Sequence, residues 1–298
     1  MLLLLGCTAW HPPLSTHHLE TTAPLTWDEV LARPGEVLWT PHTSARWKGK
    51  REGLINFDHE LAADLQGGKM PIVLTVHHVA HPDGDWIVDT GISLVEEGRI
   101  DGGRLANIAF RDGGEVVEPL EDILEGVTLK GAALTHKHAD HVLGVGALPD
   151  ELPIITGPDE WTETAPEYAA FRHAYKGLLQ GKTVRELDLE DSVRIGEFQC
   201  WDLTGDGGFW ALYTPGHTPG SLSFLVNGPD QEVLLVGDTS HTWWGWDAGV
   251  EPGGFTDDHE LNRQSLWALK RLEVAYDLQV EVGHEPSRAE PRRPGSEG

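Results

Sequence analysis

Cysteine is nearly absent. Of 298 residues only Cys7 and Cys200 are cysteine, which excludes a disulfide framework and the small stapled folds that depend on one. Basic residues are scarce too: 22 Lys and Arg stand against 48 Asp and Glu, for a formal net charge of −26. Nucleic-acid binding relies on Lys and Arg neutralising phosphate, so this balance disfavours a nucleic-acid partner. The acidity is that of a solvated surface and says little about substrate. No apolar run approaches the roughly eighteen residues of a membrane span, and no fixed-period repeat is present. A single α/β domain with a substantial core is ordinary for this length.

Histidine, by contrast, is plentiful at 16 residues. The densest stretch is Thr135-His136-Lys137-His138-Ala139-Asp140-His141, directly after the apolar run Ala132-Ala133-Leu134. Side chains two apart on extended chain point the same way, so His136 and His138 can grip one ion. Asp140 and His141 follow where the chain turns, placed to hold a second. Imidazole with carboxylate suits zinc and its neighbours, whereas calcium wants oxygens. Three further candidates each end a strand-like run: His217 in Tyr213-Thr214-Pro215-Gly216-His217, Asp238 after Glu232–Gly237, and His284 after Leu278–Gly283. Asp89 in Trp86-Ile87-Val88-Asp89-Thr90-Gly91 has the same build. Strand ends are where an α/β sheet presents reactive groups.

This ordered set resembles the metallo-β-lactamase superfamily from about Pro71 to Glu285. The resemblance implies an α/β fold, the four-layer αβ/βα sandwich, with two divalent metal ions in a cleft at one edge. It implies that His136, His138 and His217 form the first metal site and Asp140, His141 and His284 the second, with Asp238 bridging. Asp89 is implied to anchor the histidine loops. Zinc is the default metal, and manganese, iron or cobalt fit the same donors. Two adjacent ions acidify a bridging water into a nucleophile, so no Ser, Cys or Lys nucleophile is required. Asp140 is expected to orient that hydroxide and carry a proton to the leaving group.

The C-terminal third is most similar to the N-acyl homoserine lactonases, in Gly237-Asp238-Thr239-Ser240, in Phe255-Thr256-Asp257 and in the helix bearing Ser265–Leu272. The expected activity is therefore hydrolysis of a lactone, an N-acyl homoserine lactone in a quorum-quenching role. One departure stands out. Those lactonases carry a Tyr three residues past the bridging Asp, and here that position is His241, an imidazole able to donate a hydrogen bond or act as general acid. The alternatives are a glyoxalase II-type thioesterase and an organophosphate or aryl ester hydrolase on the same site. No convincing C-terminal basic cluster favours the thioesterase, since Arg288, Arg292 and Arg293 look like a tail. A non-catalytic metal-binding domain is disfavoured by the full ligand set. A small-molecule lactone or ester is the expected partner, and a homodimer is common among the relatives.

Other features are assigned as follows. Leu2-Leu3-Leu4-Leu5-Gly6-Cys7 resembles the tail of a bacterial lipoprotein signal but lacks a positive n-region. It reads either as a lipidation site, which places the protein at the cell envelope, or as an apolar N-terminus of a cytoplasmic one. Residues 1–24 are expected to be an arm or linker, with the hydrolase domain over 25–298. Hairpins are expected around Asp83-Gly84 and Asn227–Asp230, and helices over 141–148, 167–180 and 258–275, the last with Leu261, Leu266, Leu269 and Leu272 on one face. Cys200 reads as buried filler. His77, His78 and His81 read as ordinary strand histidines, as do His11, His17, His18, His42 and His59 as structural ones. Three tryptophans in four residues, Trp243, Trp244 and Trp246, are expected to wall the substrate cleft.

Overall fold

A computed structural model describes residues 25–96, 113–161 and 172–288, together with 12, 14–17, 99–100, 107 and 110–111. In chain order the strands of its first half are β1 (Leu14–His17), β2 (Leu38–Lys50), β3 (Lys69–Ala80), β4 (Asp85–Val88), β5 (Leu94–Glu96), β6 (Arg99–Ile100), β7 (Glu115–Val116), β8 (Leu129–Ala133), β9 (Pro153–Thr156) and β10 (Thr183–Leu187). The second half contributes β11 (Val193–Ile195), β12 (Phe198–Asp202), β13 (Phe209–Tyr213), β14 (Leu222–Asn227), β15 (Glu232–Leu235) and β16 (Gln279–Glu281). Apart from the small β5-β6 pair they form two sheets, ordered β1-β10-β9-β8-β4-β3-β2-β7 and β11-β12-β13-β14-β15-β16.

Period-two alternation explains how the sheets stack. Leu222, Phe224 and Val226 of β14 point into a core shared with Val88, Ala133 and Ile155 of the other sheet. Leu225, between them, points outward and packs with Leu266, Leu269 and Leu272 of the helix His259–Tyr276. On the far side, Ile87, Ala132 and Ile154 face Leu120, Val142 and Tyr175 from the opposite helical layer. The result is the expected αβ/βα sandwich of four layers, each sheet buried on both faces, which is why its strands read as near-continuous apolar runs.

Both expected hairpins form, β3 with β4 and β14 with β15, each antiparallel. Asp258 caps the long helix by accepting from the Leu261 N–H at 2.9 Å. Leu261 itself is 36% exposed and leaves the core face to Leu266, Leu269 and Leu272. It sits in the first helical turn, before the helix meets the sheet. The helix expected over 141–148 begins earlier and is shorter, Ala139–Val142, followed by a 3-10 turn over Val145–Ala147. Of the 167–180 segment a helix is described over Arg172–Leu178, while Tyr168 and Phe171 lie outside the described residues. Cys7, His11, His18, Arg292 and Arg293 lie outside them as well.

Within the expected arm over 1–24, Leu14–His17 pair in parallel with β10 and extend the first sheet. Such edge addition needs only backbone donors and acceptors, which leave no hydrophobic pattern in sequence. Cys200 is fully buried within β12. His77 is buried and accepts the Trp39 indole N–H at 3.2 Å, while His78 pairs with Asp85 at 2.8 Å, both structural arrangements. Among the described residues, no helix is long and apolar enough to cross a membrane.

Candidate metal centre

Strand direction collects the site. In the first sheet β4, β8 and β9 run parallel. In the second, β13 and β15 both run antiparallel to β14, and β16 runs parallel to β15. The segments leaving their C-terminal ends therefore emerge in groups. Asp89 follows β4, the histidine motif follows β8, His217 follows β13, Asp238 follows β15 and His284 follows β16. Backbone bonds stitch the two edges together: the Leu222 N–H donates to Thr135 O at 2.8 Å and the Val73 N–H to His284 O at 3.0 Å.

All seven side chains assigned to metal by resemblance lie in this one place. His138 Nδ1 stands 2.8 Å from His136 Nε2 and 2.9 Å from His217 Nε2. With Asp238 these three make one group of ligand atoms, and Asp140, His141 and His284 make a second. Asp238 Oδ2 is the shared centre. Around it stand the Nε2 atoms of His284 at 3.2 Å, His141 at 3.4 Å, His217 at 3.4 Å and His136 at 3.6 Å. His241, assigned from its place after Asp238, is here too, with Nε2 at 3.0 Å from the same oxygen.

Two ring orientations are set from behind. His141 Nδ1–H donates to Asp89 Oδ2 at 2.7 Å, and His284 Nδ1–H donates to Val73 O at 3.1 Å. Each leaves Nε2 facing the centre, the arrangement that metal-ligating histidines use. Asp89 also accepts from the Thr135 backbone N–H at 2.7 Å and from the Thr135 hydroxyl at 2.9 Å. It does so from a left-handed backbone, φ 58°, a conformation that Asp tolerates better than most residues. Gly283 permits the packing, since a Cβ there would collide with Asp238 Oδ1.

Charge is arranged unevenly. Burial, with neighbouring imidazoles, holds His136 and His217 well below the ordinary histidine range. Burial also brings His138 down to about 4, against the pull of Asp140 and Asp238. These three rings are neutral at pH 7, the form that ligates. Burial opposes charge on His141 and His284 as well. There Asp238, with Asp89 and Asp140 at His141 and Asp140 at His284, outweighs it, lifting His141 well above its ordinary value and His284 to about 9. Burial raises Asp140 and Asp238, but adjacent histidines leave both carboxyls below the usual range.

The donor set fits divalent metal. His141 Nε2, Asp238 Oδ1 and both ring nitrogens of His241 are buried with no protein hydrogen-bond partner. Buried polar atoms left unmet cost about 1–3 kcal/mol each, and ions at the centre would satisfy them. Two donors each ~2.1 Å from one tetrahedral ion stand about 3.4 Å apart, close to the spacings around Asp238 Oδ2.

Glu160 was not anticipated. It follows β9 at the same sheet edge and is fully buried. Its carboxylate accepts from the Lys137 N–H at 2.6 Å, the Thr218 hydroxyl at 2.7 Å and the Gly220 N–H at 2.9 Å. It thereby ties the loop of His136 and His138 to the loop of His217. An acid just past an apolar strand was the available signal, the same that marked Asp89 and Asp238.

The tryptophan expectation is corrected in part. Trp246 is 2% exposed, packs in the core with Leu266 and Leu269, and donates to Glu273 at 3.2 Å, so it walls no cleft. A helical turn over Trp243–Ala248 sends the three rings in different directions. Trp243 lies beneath Arg288 and donates to Pro286 O, while Trp244 packs against the small buried cluster of Ile55, Ala62 and Val250. Among the described residues, Phe255 is an aromatic that does face the histidines. It is 77% exposed, holds φ 77° and has its ring 6.4 Å from that of His138.

A buried cluster of imidazoles around one carboxylate, at the joined edges of an αβ/βα sandwich, defines a metal-site protein of the metallo-hydrolase type. The chain belongs to the metallo-beta-lactamase superfamily, whose profile matches residues 75–278. That superfamily uses divalent metals, typically zinc. The chain is similar to the N-acyl homoserine lactonase AttM of Agrobacterium fabrum, 26% identical over 216 residues that cover 70% of this chain and 80% of AttM. It is also similar to the gamma-lactamase FDB1 of Fusarium pseudograminearum, 32% identical over 135 residues, 43% of this chain and 33% of that protein. The chain thus spans about a third of FDB1 and, at 48%, about half of a second fungal gamma-lactamase, MBL2 of Gibberella moniliformis. Among solved structures, a quorum-quenching N-acyl homoserine lactone lactonase shares the fold with a TM-score of 0.63 at 21% identity, over 84% of this chain and 92% of that one.

Proposed function

We propose that this protein is a dinuclear metal-dependent hydrolase that opens a lactone ring, with N-acyl homoserine lactones as its substrate class and quorum quenching as its role. The observation that carries the reading is the meeting of histidines from both sheets on Asp238 Oδ2. Similarity to AttM over 70% of the chain supports the choice of a lactone.

In this reading His136, His138 and His217 would hold one ion and Asp140, His141 and His284 the other, with Asp238 available to both. Zinc suits this mixture of imidazole and carboxylate, and manganese, iron or cobalt suit it as well. Bound there, the ions supply an acidified water and a Lewis acid for the substrate carbonyl. The chain's own residues do the rest. Asp140 is ionised at neutral pH and partly open to the cleft, its side chain 29% exposed. Its carboxylate takes the proton released as the nucleophile forms and returns it to the departing alkoxide oxygen. Asp89, through His141 and Thr135, keeps the ring and the loop from rotating away. Phe255 offers an apolar face to the substrate's acyl chain.

The test is a substrate panel on metal-replete protein, with acid release followed at constant pH for the lactones, the thioester and paraoxon, and with loss of the intact ring followed by chromatography for the γ-lactam. Acyl homoserine lactones are expected to be turned over well ahead of a γ-lactam, S-lactoylglutathione and paraoxon. Preference for the γ-lactam would move the assignment toward the FDB1 likeness, and preference for either of the last two would replace the lactone reading.

A further inference from the structure

His241 occupies the position where a hydrogen-bond donor to the substrate carbonyl was expected. Its surroundings fit another task. The side chain is 3% exposed, so it presents almost nothing to an entering molecule. Its Nε2 is 3.0 Å from Asp238 Oδ2, closer than the Nε2 of any of the four histidines already placed around that oxygen. The ring centroid lies 5.1 Å from His217 and 5.2 Å from His284. The backbone is pinned as well, because the His284 N–H donates to His241 O at 2.9 Å and the Gly283 N–H to Ser240 O at 3.0 Å.

Neither ring nitrogen of His241 finds a hydrogen-bond partner in the protein, despite the short approach to Asp238. A carboxylate oxygen has two lone pairs and cannot accept from five imidazoles. The contact makes sense if the nitrogen and the oxygen share a cation. Asp238, His241 and His284 already form a group whose ligand atoms all lie within 4.8 Å of one another.

We propose that His241 is a metal ligand, binding through Nε2 beside Asp238 and His284 at the second ion. The proposal rests on the dinuclear reading of the site. It gives the second ion three imidazoles, from His141, His241 and His284, with the carboxylates of Asp140 and Asp238. The first ion keeps His136, His138 and His217 with Asp238. A nitrogen-rich second position favours zinc or cobalt over manganese. It also leaves proton transfer to Asp140.

The experiment compares wild type with His241→Phe and His241→Gln. It measures bound metal by equilibrium dialysis and the visible absorption of the cobalt-substituted proteins. Wild type is expected to hold two ions. Both variants are expected to keep one tightly and to bind the second at least about tenfold more weakly, with a changed cobalt spectrum. The glutamine variant keeps a polar head group, and it carries the test if the phenylalanine variant does not fold. Two ions at unchanged affinity with an unchanged spectrum in the variants would overturn the role of His241 while leaving the dinuclear reading intact. A wild type that takes up a single ion would overturn both.

Discussion

The Nε2 atom of His284 stands 3.2 Å from Oδ2 of Asp238 although 46 residues separate them in the chain. Four more imidazoles meet the same oxygen, so cations there explain the crowding better than hydrogen bonds do.

His138 is the most exposed of the first group's histidines, yet its Nδ1 touches the nitrogens of both partners. His138→Ala is expected to lose one metal equivalent and to lower turnover by more than about 100-fold, beyond the loss typical of a residue that merely supports a ligand. Metal analysis alongside initial rates checks this, and full turnover with full metal would contradict it.

Asp89 reaches the centre through His141 Nδ1 and Thr135. Asp89→Asn keeps the size and removes the anionic acceptor. Metal affinity is expected to fall by about 10–100-fold with the fold retained, as read by competition with a chelator and by circular dichroism.

Glu160 predicts a pH dependence. Burial first, against the opposing pull of Lys137 and its hydrogen bonds, pushes its carboxyl up to about 7 from an ordinary 4.5. A carboxyl whose folded value is raised contributes stability that is fully present below its unfolded value and is lost as pH rises through the folded one. Glu160→Gln is neutral throughout and lacks that loss. The melting temperature of metal-free wild type relative to the variant is therefore expected to drop between pH 5 and pH 8, by about 2–4 °C per kcal/mol for a chain of this size. A constant difference across that range would contradict the assignment.

Phe255 and Trp246 separate cleft from core. Phe255→Ala is expected to lower the preference for long over short acyl chains by about tenfold, the worth of roughly two methylenes. Trp246→Ala is expected to leave that profile alone and to cost about 3–5 kcal/mol of stability, measured by denaturant unfolding.

Much of the site was legible because one signal repeats: an apolar run, then an acid or histidine where the strand ends. Asp89, His136, His217, Asp238 and His284 all carry it, and parallel strands gather such positions at one edge. Glu160 carries it too, yet its partners are chiefly backbone N–H groups, which have no letter in the sequence. The hairpins and the long helix were readable from turn residues and from the spacing of its leucines. The Trp243–Trp246 cluster was not, because a single helical turn points neighbours to the surface, to a small apolar cluster and to the main core alike. Phe255 stood in a quoted motif, but its exposure depends on a left-handed backbone that composition does not announce. The pairing of Leu14–His17 with β10 was equally silent, resting on main-chain bonds alone.

The most direct test of the whole account is the number of divalent ions bound per chain, by metal analysis after exhaustive dialysis, in wild type and in Asp238→Ala. Two ions in wild type, with a marked loss of both in the variant, is the result expected if this one carboxylate joins two sites. Wild type retaining none, or a variant that still holds two as tightly, would contradict it.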